Sequence, residues 1–275
     1  MTKISDVGFP LLFDGAMGTY YPEVSKNPLP LCEMGNIFDR DTILKIHREY
    51  IAAGARAIKT NTFQANRIFL SPEFDVVRKV IESGIKIARE AAADGKVLIF
   101  GSIGQMAPKE ATSFNDYREI VDVFLINGIT DFIFETYSSL DHLIEIAEYI
   151  KSKEKDSFII TSFAIEADGQ TRMGEWGDKL INEAANCKHI DAVGFNCVSG
   201  PLRIREYLEK IEIPDSKISI MPNAGYPTVI NGRTFYPNNK EYFANAVVNM
   251  MAELGVEIIG GCCGTTPEYI KEIAA

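Results

Sequence analysis

Eight short apolar runs, each separated from the next by a longer stretch, constrain this chain more than any other feature. The runs are PLLFDG, RAIKTN, KVLIFGS, DFIFET, FIITSFAI, DAVGFNC, ISIMPNAG and VEIIGGCC. Their apolar residues are continuous instead of alternating, the pattern of parallel strands buried on both faces. Between them lie segments of helical period: RDTILKIHREYIAAG, FDVVRKVIESGIKIAREAAADG, NDYREIVDVFLINGI, SLDHLIEIAEYIKSK, DKLINEAANCK, LRIREYLEKI and NKEYFANAVVNMMAELG. Asp39 or Asp41 starts the first, Gly54 and Gly95 follow the first two, and Pro267 opens a last short helix, PEYIKEIAA. Eight strand–helix units in about 250 residues predict a closed (β/α)8 TIM barrel, here a single domain over residues 1–275. The competing fold, an open doubly wound sheet, usually places a Gly-rich phosphate turn after its first strand, and DGAMG lacks that spacing. Residues 22–38, PEVSKNPLPLCEMGNIF, read as a long first βα loop of the kind that is often functional.

Composition narrows the function classes. With 28 Lys and Arg against 38 Asp and Glu, the formal charge of −10 argues against an electrostatic grip on nucleic acid or an anionic membrane. No apolar run approaches the roughly 18 residues that span a bilayer, and the N-terminal MTKISDVGFPLLFDGAMG lacks a signal-peptide core. Five cysteines without a framework spacing fit a reducing compartment, with the cytoplasm as the default.

In such a barrel the active face is built at the C-terminal ends of the strands. Those ends carry Asp14, Thr60 with Asn61, Ser102, Glu135, Asn196 with Cys197, Asn223, and Cys262 with Cys263. Cys197 and the Cys262–Cys263 pair belong to the sixth and eighth strands, one strand apart. Three thiolates with an open fourth position describe a catalytic zinc site. Successive strand residues point to opposite faces, so two ligands from one dipeptide need a bend, which Gly260, Gly261 and Gly264 permit. Cys32 and Cys187 read as spectators. His47, His142 and His189 fall in or beside helical segments and read as surface residues.

Blander readings stand beside this one. The cysteines are alternatively small buried hydrophobes, or form a reversible disulfide of Cys197 with Cys262 or Cys263. Asp14 and Glu135 could be helix caps or partners of buried polar groups. The stretch GGCCGTTPEYI also offers backbone donors for a phosphate nest, although two thiols would have no purpose there.

FDGAMGT (13–19), KTNTF (59–63), FET (134–136), GFNCVSGP (194–201), MPNAGYP (221–227) and GGCCGTTPEYI (260–270) together resemble the zinc-dependent homocysteine S-methyltransferases. The match runs from about residue 9 to the end and is most similar to the homocysteine-binding module of cobalamin-dependent methionine synthases. The resemblance implies a (β/α)8 barrel in which Cys197, Cys262 and Cys263 hold Zn2+ and homocysteine sulfur takes the fourth position. It implies that Asp14 and Glu135 receive the substrate ammonium and that backbone amides of Gly15, Ala16 and Met17 meet its carboxylate. It puts Asn223 near the metal, able to fill the site before substrate arrives, with Thr60, Asn61 and Asn196 behind the first row.

The implied reaction is methyl transfer to a metal-bound thiolate, giving methionine. A donor would be a methylated corrinoid (cobalamin on a separate protein) or a methylfolate system; betaine and S-methylmethionine are the alternatives. Ending at Ala275, just after the eighth unit, the chain reads as a standalone subunit or as one module of something longer. Two other readings remain at this level: a module that captures homocysteine and presents it to a partner without turnover, and a barrel enzyme with a redox dithiol.

Overall fold

The computed structural model describes residues 4–93, 95–107, 111–230, 233–237 and 239–275. All eight apolar runs become parallel strands: β1 (Leu11–Leu12), β2 (Ala57–Lys59), β3 (Leu98–Gly104), β4 (Asp131–Tyr137), β5 (Ile159–Phe163), β6 (Ala192–Asn196), β7 (Lys217–Met221) and β10 (Val256–Ile259). Their order is β1-β10-β7-β6-β5-β4-β3-β2. One parallel bridge between Phe13 and Ala57 closes the ring, supported by hydrogen bonds from Arg56 N to Leu12 O at 2.8 Å and from Asp14 N to Ala57 O at 3.1 Å. The expected (β/α)8 barrel is therefore the fold. Between β7 and the next helix, an antiparallel hairpin of β8 (Thr228–Ile230) and β9 (Arg233–Phe235) is an addition that the strand count did not anticipate.

The helices follow the periodic segments. They are α4 (Arg40–Ala52), α5 (Phe74–Ala91), α6 (Phe114–Ile126), α7 (Leu143–Lys153), α8 (Gly177–Ala185), α9 (Pro201–Leu208), α10 (Lys240–Leu254) and α11 (Pro267–Ala274), preceded by the short α1 (Ile4–Val7), α2 (Tyr21–Val24) and α3 (Gly35–Phe38). In α5 the buried residues Val77, Val80, Ile81, Gly84, Ile85 and Ala88 recur at three and four, forming the stripe that packs on the strands. Asp94, inside the second expected helical segment, lies outside the described residues. Residues 22–38 differ from the expected open loop: most of α2, a 3-10 turn over Cys32–Met34 and α3 fold within it.

Two apolar layers explain why the strands are continuously hydrophobic. One face of each strand meets the helices in the larger cluster. The other fills the barrel with Leu11, Phe13, Leu98, Phe100, Ile133 and Ile160, capped below by Ile4, Val7 and Phe9. Side chains alternate along a strand, so the next inward position above Ala57 is Lys59, above Phe100 is Ser102, and above Ile133 is Glu135. The polar mouth begins one layer above the apolar core.

Candidate metal centre and acceptor pocket

Cys197 follows β6, and Cys262 and Cys263 follow β10, with β7 between them. The three sulfurs lie within 4.8 Å of one another, and among the described residues no other group of His, Cys, Asp or Glu is so arranged. Cys197 Sγ and Cys263 Sγ are 3.7 Å apart. A tetrahedral zinc with Zn–S near 2.3 Å sets its ligands about 3.8 Å apart.

Unusual backbone puts the sulfurs there. Cys197 has φ 60° and Val198 φ 53°, a region that β-branched residues seldom enter and that costs about 1–3 kcal/mol per residue. The turn is held by Cys197 N donating to Met221 O at 3.1 Å and Ser199 N donating to Cys197 O, with Ser199 Oγ donating to Ile165 O at 2.9 Å. On the other side Gly264, at φ 78°, bends the chain after the cysteine pair, and Tyr236 packs where its Cβ would be. Gly261 touches Thr265 so closely that a side chain there would collide.

Asn223 sits between the two cysteine loops. Cys262 N donates to Pro222 O (2.8 Å), Ala224 N to Cys263 O (2.9 Å) and Asn223 N to Ser199 O (3.1 Å). Its side chain is buried, and Oδ1 has no hydrogen-bond partner among the described residues. An orphaned buried oxygen is costly. On a segment bonded through its backbone to both cysteine loops, such an oxygen is a candidate metal ligand, and the three thiols suit zinc better than a hard cation.

Hydrogen bonds from Cys197 and then Cys262, with Tyr236 also donating, hold the Cys263 thiol far below its ordinary range. Contacts with Cys197 and then Cys263, with burial, raise Cys262 well above the thiol range. Tyr236 was not anticipated from the sequence; it comes from the segment after the hairpin.

Beside the sulfurs opens a cavity of about 280 Å3 lined by Asp14, Lys59, Glu135, Met17, Cys32 and Phe63 among others, close to the lower end of small-molecule sites. Asp14 and Glu135 face this space, but not alone. Lys59 Nζ donates to Asp14 Oδ1 at 2.5 Å and Lys59 N to Asp14 Oδ2 at 3.0 Å. Glu135 accepts from Ser102 Oγ at 2.6 Å. Burial raises the carboxyls of Asp14 and Glu135, and the Lys59 charge opposes that rise at both. Burial alone would depress Lys59; Asp14 and then Glu135 outweigh it and hold the ammonium above its ordinary value.

The remaining sequence candidates divide. Ala16 N donates to both Thr265 O and Oγ1, at 3.2 Å each, so its amide is committed. The amides of Gly15 and Met17 make no hydrogen bond among the described residues. Thr60 Oγ1 meets Thr62 Oγ1 and accepts from Ser102 N, while Asn61 bonds Cys32 O and Asn36. Asn196 clamps the bend after Glu135: its Oδ1 accepts from Thr136 N and its Nδ2 donates to Thr136 Oγ1, both at 2.8 Å. Thr136 itself is at φ 63°.

Two sequence assignments need correction. Cys32 is no spectator by position: it lines the cavity and donates to Asn61 Oδ1 at 3.2 Å, because the folded segment 22–38 returns to the barrel mouth. His47 and His142 are buried instead of surface residues, since α4 turns His47 inward and the residue before α7 packs against Tyr117. Lys59, beside the Thr60 and Asn61 candidates, is a cavity residue that the strand alternation from Ala57 already points inward.

A closed parallel barrel with, at its C-terminal mouth, a tris-cysteine cluster that could hold a metal ion defines the class of this protein. The family model described as homocysteine S-methyltransferase matches residues 11–275, and the chain belongs to that family. It is 30% identical over 292 residues to methionine synthase of Mycobacterium leprae and 32% identical to that of Mycobacterium tuberculosis, in each case over 95% of this chain and 24% of the relative. The chain thus spans about a quarter of the length of these relatives. The metallated form of the homocysteine methyltransferase MmuM from Escherichia coli shares the fold: TM-score 0.75, 20% identity, 96% of this chain and 95% of that one.

Proposed function

We propose that the chain is a zinc-dependent methyltransferase acting on homocysteine, with residues 1–275 working as one acceptor-binding barrel domain. The observation that carries this reading is the convergence of Cys197, Cys262 and Cys263 within 4.8 Å beside a small charged cavity. Cys197, Cys262 and Cys263 would hold the zinc, and three thiolate ligands would let it lower the pKa of an incoming thiol while leaving that sulfur electron-rich. The protein's own residues fix the rest of the acceptor. Glu135, oriented by Ser102, receives the ammonium beside an Asp14 carboxylate already engaged by Lys59, and the amides of Gly15 and Met17 face the carboxylate. The acceptor's S–H proton passes to solvent, the S–CH3 bond forms as the donor's bond to methyl breaks with its electron pair staying on the donor, and the neutral thioether, methionine, is released. The donor is a methylated corrinoid or methylfolate system presented by another protein or module. Five free thiols suit the cytoplasm, and no described helix is long and apolar enough to cross a membrane.

The test is metal content together with transfer: about one zinc per chain, and methionine formed from homocysteine with methylcobalamin or methyltetrahydrofolate. A protein active without metal overturns the reading. The quarter-length match to methionine synthases favours one second reading, a module that binds homocysteine and presents it to a partner. Tight homocysteine binding without turnover on free donors, and turnover restored by a corrinoid protein, would select it.

A further inference from the structure

The cavity already contains a cation where an amino-acid substrate would bring its own. Lys59 Nζ lies 2.5 Å from Asp14 Oδ1, with side-chain exposures of 12% and 4%. The second Asp14 oxygen is taken by the Lys59 amide. Both oxygens of one of the two carboxylates that would greet an α-ammonium are thus occupied from within the chain. Glu135 keeps one oxygen for Ser102 and feels the same ammonium.

The charge count follows directly. Two buried carboxylates without a counterion would demand a cationic ligand, because a buried charge needs a partner. Asp14, Glu135 and Lys59 together carry one negative charge, so the demand is halved before any ligand enters. An arriving α-ammonium would also stand near a like charge in a poorly solvated space, which cancels part of its attraction to Glu135. A carboxylate arriving there would instead find an added cation.

Resting on the methyl-acceptor reading above, we infer that Lys59 is a specificity-determining residue: held against Asp14, its side chain stands in for the acceptor's ammonium, so the site takes small mercaptocarboxylates without an α-amine as well as homocysteine. The thiol end is set by the cysteine cluster; the amine is dispensable because the chain supplies one.

4-Mercaptobutyrate is homocysteine without its amine, so the pair isolates that group. Isothermal titration of both thiols into the zinc-loaded chain reads binding directly, apart from any methyl transfer. The expected result is dissociation constants within about tenfold of each other, where a site depending on a buried ammonium contact would separate them by about a hundredfold or more. In Lys59→Met the ratio should move toward homocysteine by about tenfold or more, with zinc content and circular dichroism checking the fold. A wild-type preference for homocysteine above about a hundredfold overturns the inference while leaving the acceptor reading intact. Failure of both thiols to bind overturns the acceptor reading and this inference with it. The wild-type comparison decides the matter even where the variant does not fold.

Discussion

Cys197 and Cys263, 66 positions apart in the chain, bring their sulfurs to 3.7 Å because a left-handed turn on one strand end faces a glycine bend two strands away. Nothing in the apolar core requires that approach. It is maintained by turn hydrogen bonds at the rim against the cost of positive φ at Cys197 and Val198, so cluster and core are separable.

Cys262→Ser should therefore lose zinc and keep the barrel. Loss of an outer-sphere partner alone costs about 10–100-fold in metal affinity, and loss of a ligand should exceed this. Competition with a chromophoric chelator measures the affinity. Circular dichroism should retain the helical signal, and urea unfolding should remain cooperative; a molten chain in the variant would contradict the separation of rim and core.

Asn223→Ala addresses the orphaned oxygen. With that oxygen serving the metal only before the thiol arrives, zinc should be lost to chelator about tenfold faster in the variant without homocysteine and at parental rate with it. Equal loss in both conditions would assign Asn223 to the loop instead of the metal.

Asn196→Ala removes both bonds to Thr136 and frees a bend that otherwise relaxes. A stability loss of about 1–2 kcal/mol is expected, together with weaker homocysteine binding, because Glu135 precedes the bend. Thermal unfolding and titration calorimetry read the two effects. Unchanged homocysteine affinity would show that Glu135 holds its place without the clamp.

His47 sets a pH limb. Burial, aided by the Lys59 charge, lowers it to about 4 from 6.5, so between those values the unfolded chain binds a proton that the fold excludes. Stability contributed by the neutral ring is present above 6.5 and lost as pH falls toward 4, amounting to about 3 kcal/mol. Asp131, raised to about 6 mainly by burial, acts oppositely over part of the range, so the readout is variant minus parent. His47→Leu should flatten the acid limb of urea stability by about that amount. Removing two ring nitrogens that have no partner among the described residues should also stabilise the chain by about 1 kcal/mol at neutral pH; an unchanged limb would mean that His47 titrates normally.

What the sequence determined by itself was the periodic part and the chemistry of single residues. Eight continuous apolar runs can hide both faces only as parallel strands wrapped by helices, and the order of strand ends then assigns the three cysteines, Asp14 and Glu135 to one rim. Tertiary structure alone decided who meets whom at that rim. Lys59 pairs with Asp14 across the single bridge that closes the barrel, Tyr236 reaches Cys263 from beyond a hairpin, Cys32 returns through a folded segment, and His47 turns into the core. Such meetings depend on register, closure and loop path, which couple residues far apart in the chain, whereas hydrophobic period and side-chain chemistry are written locally.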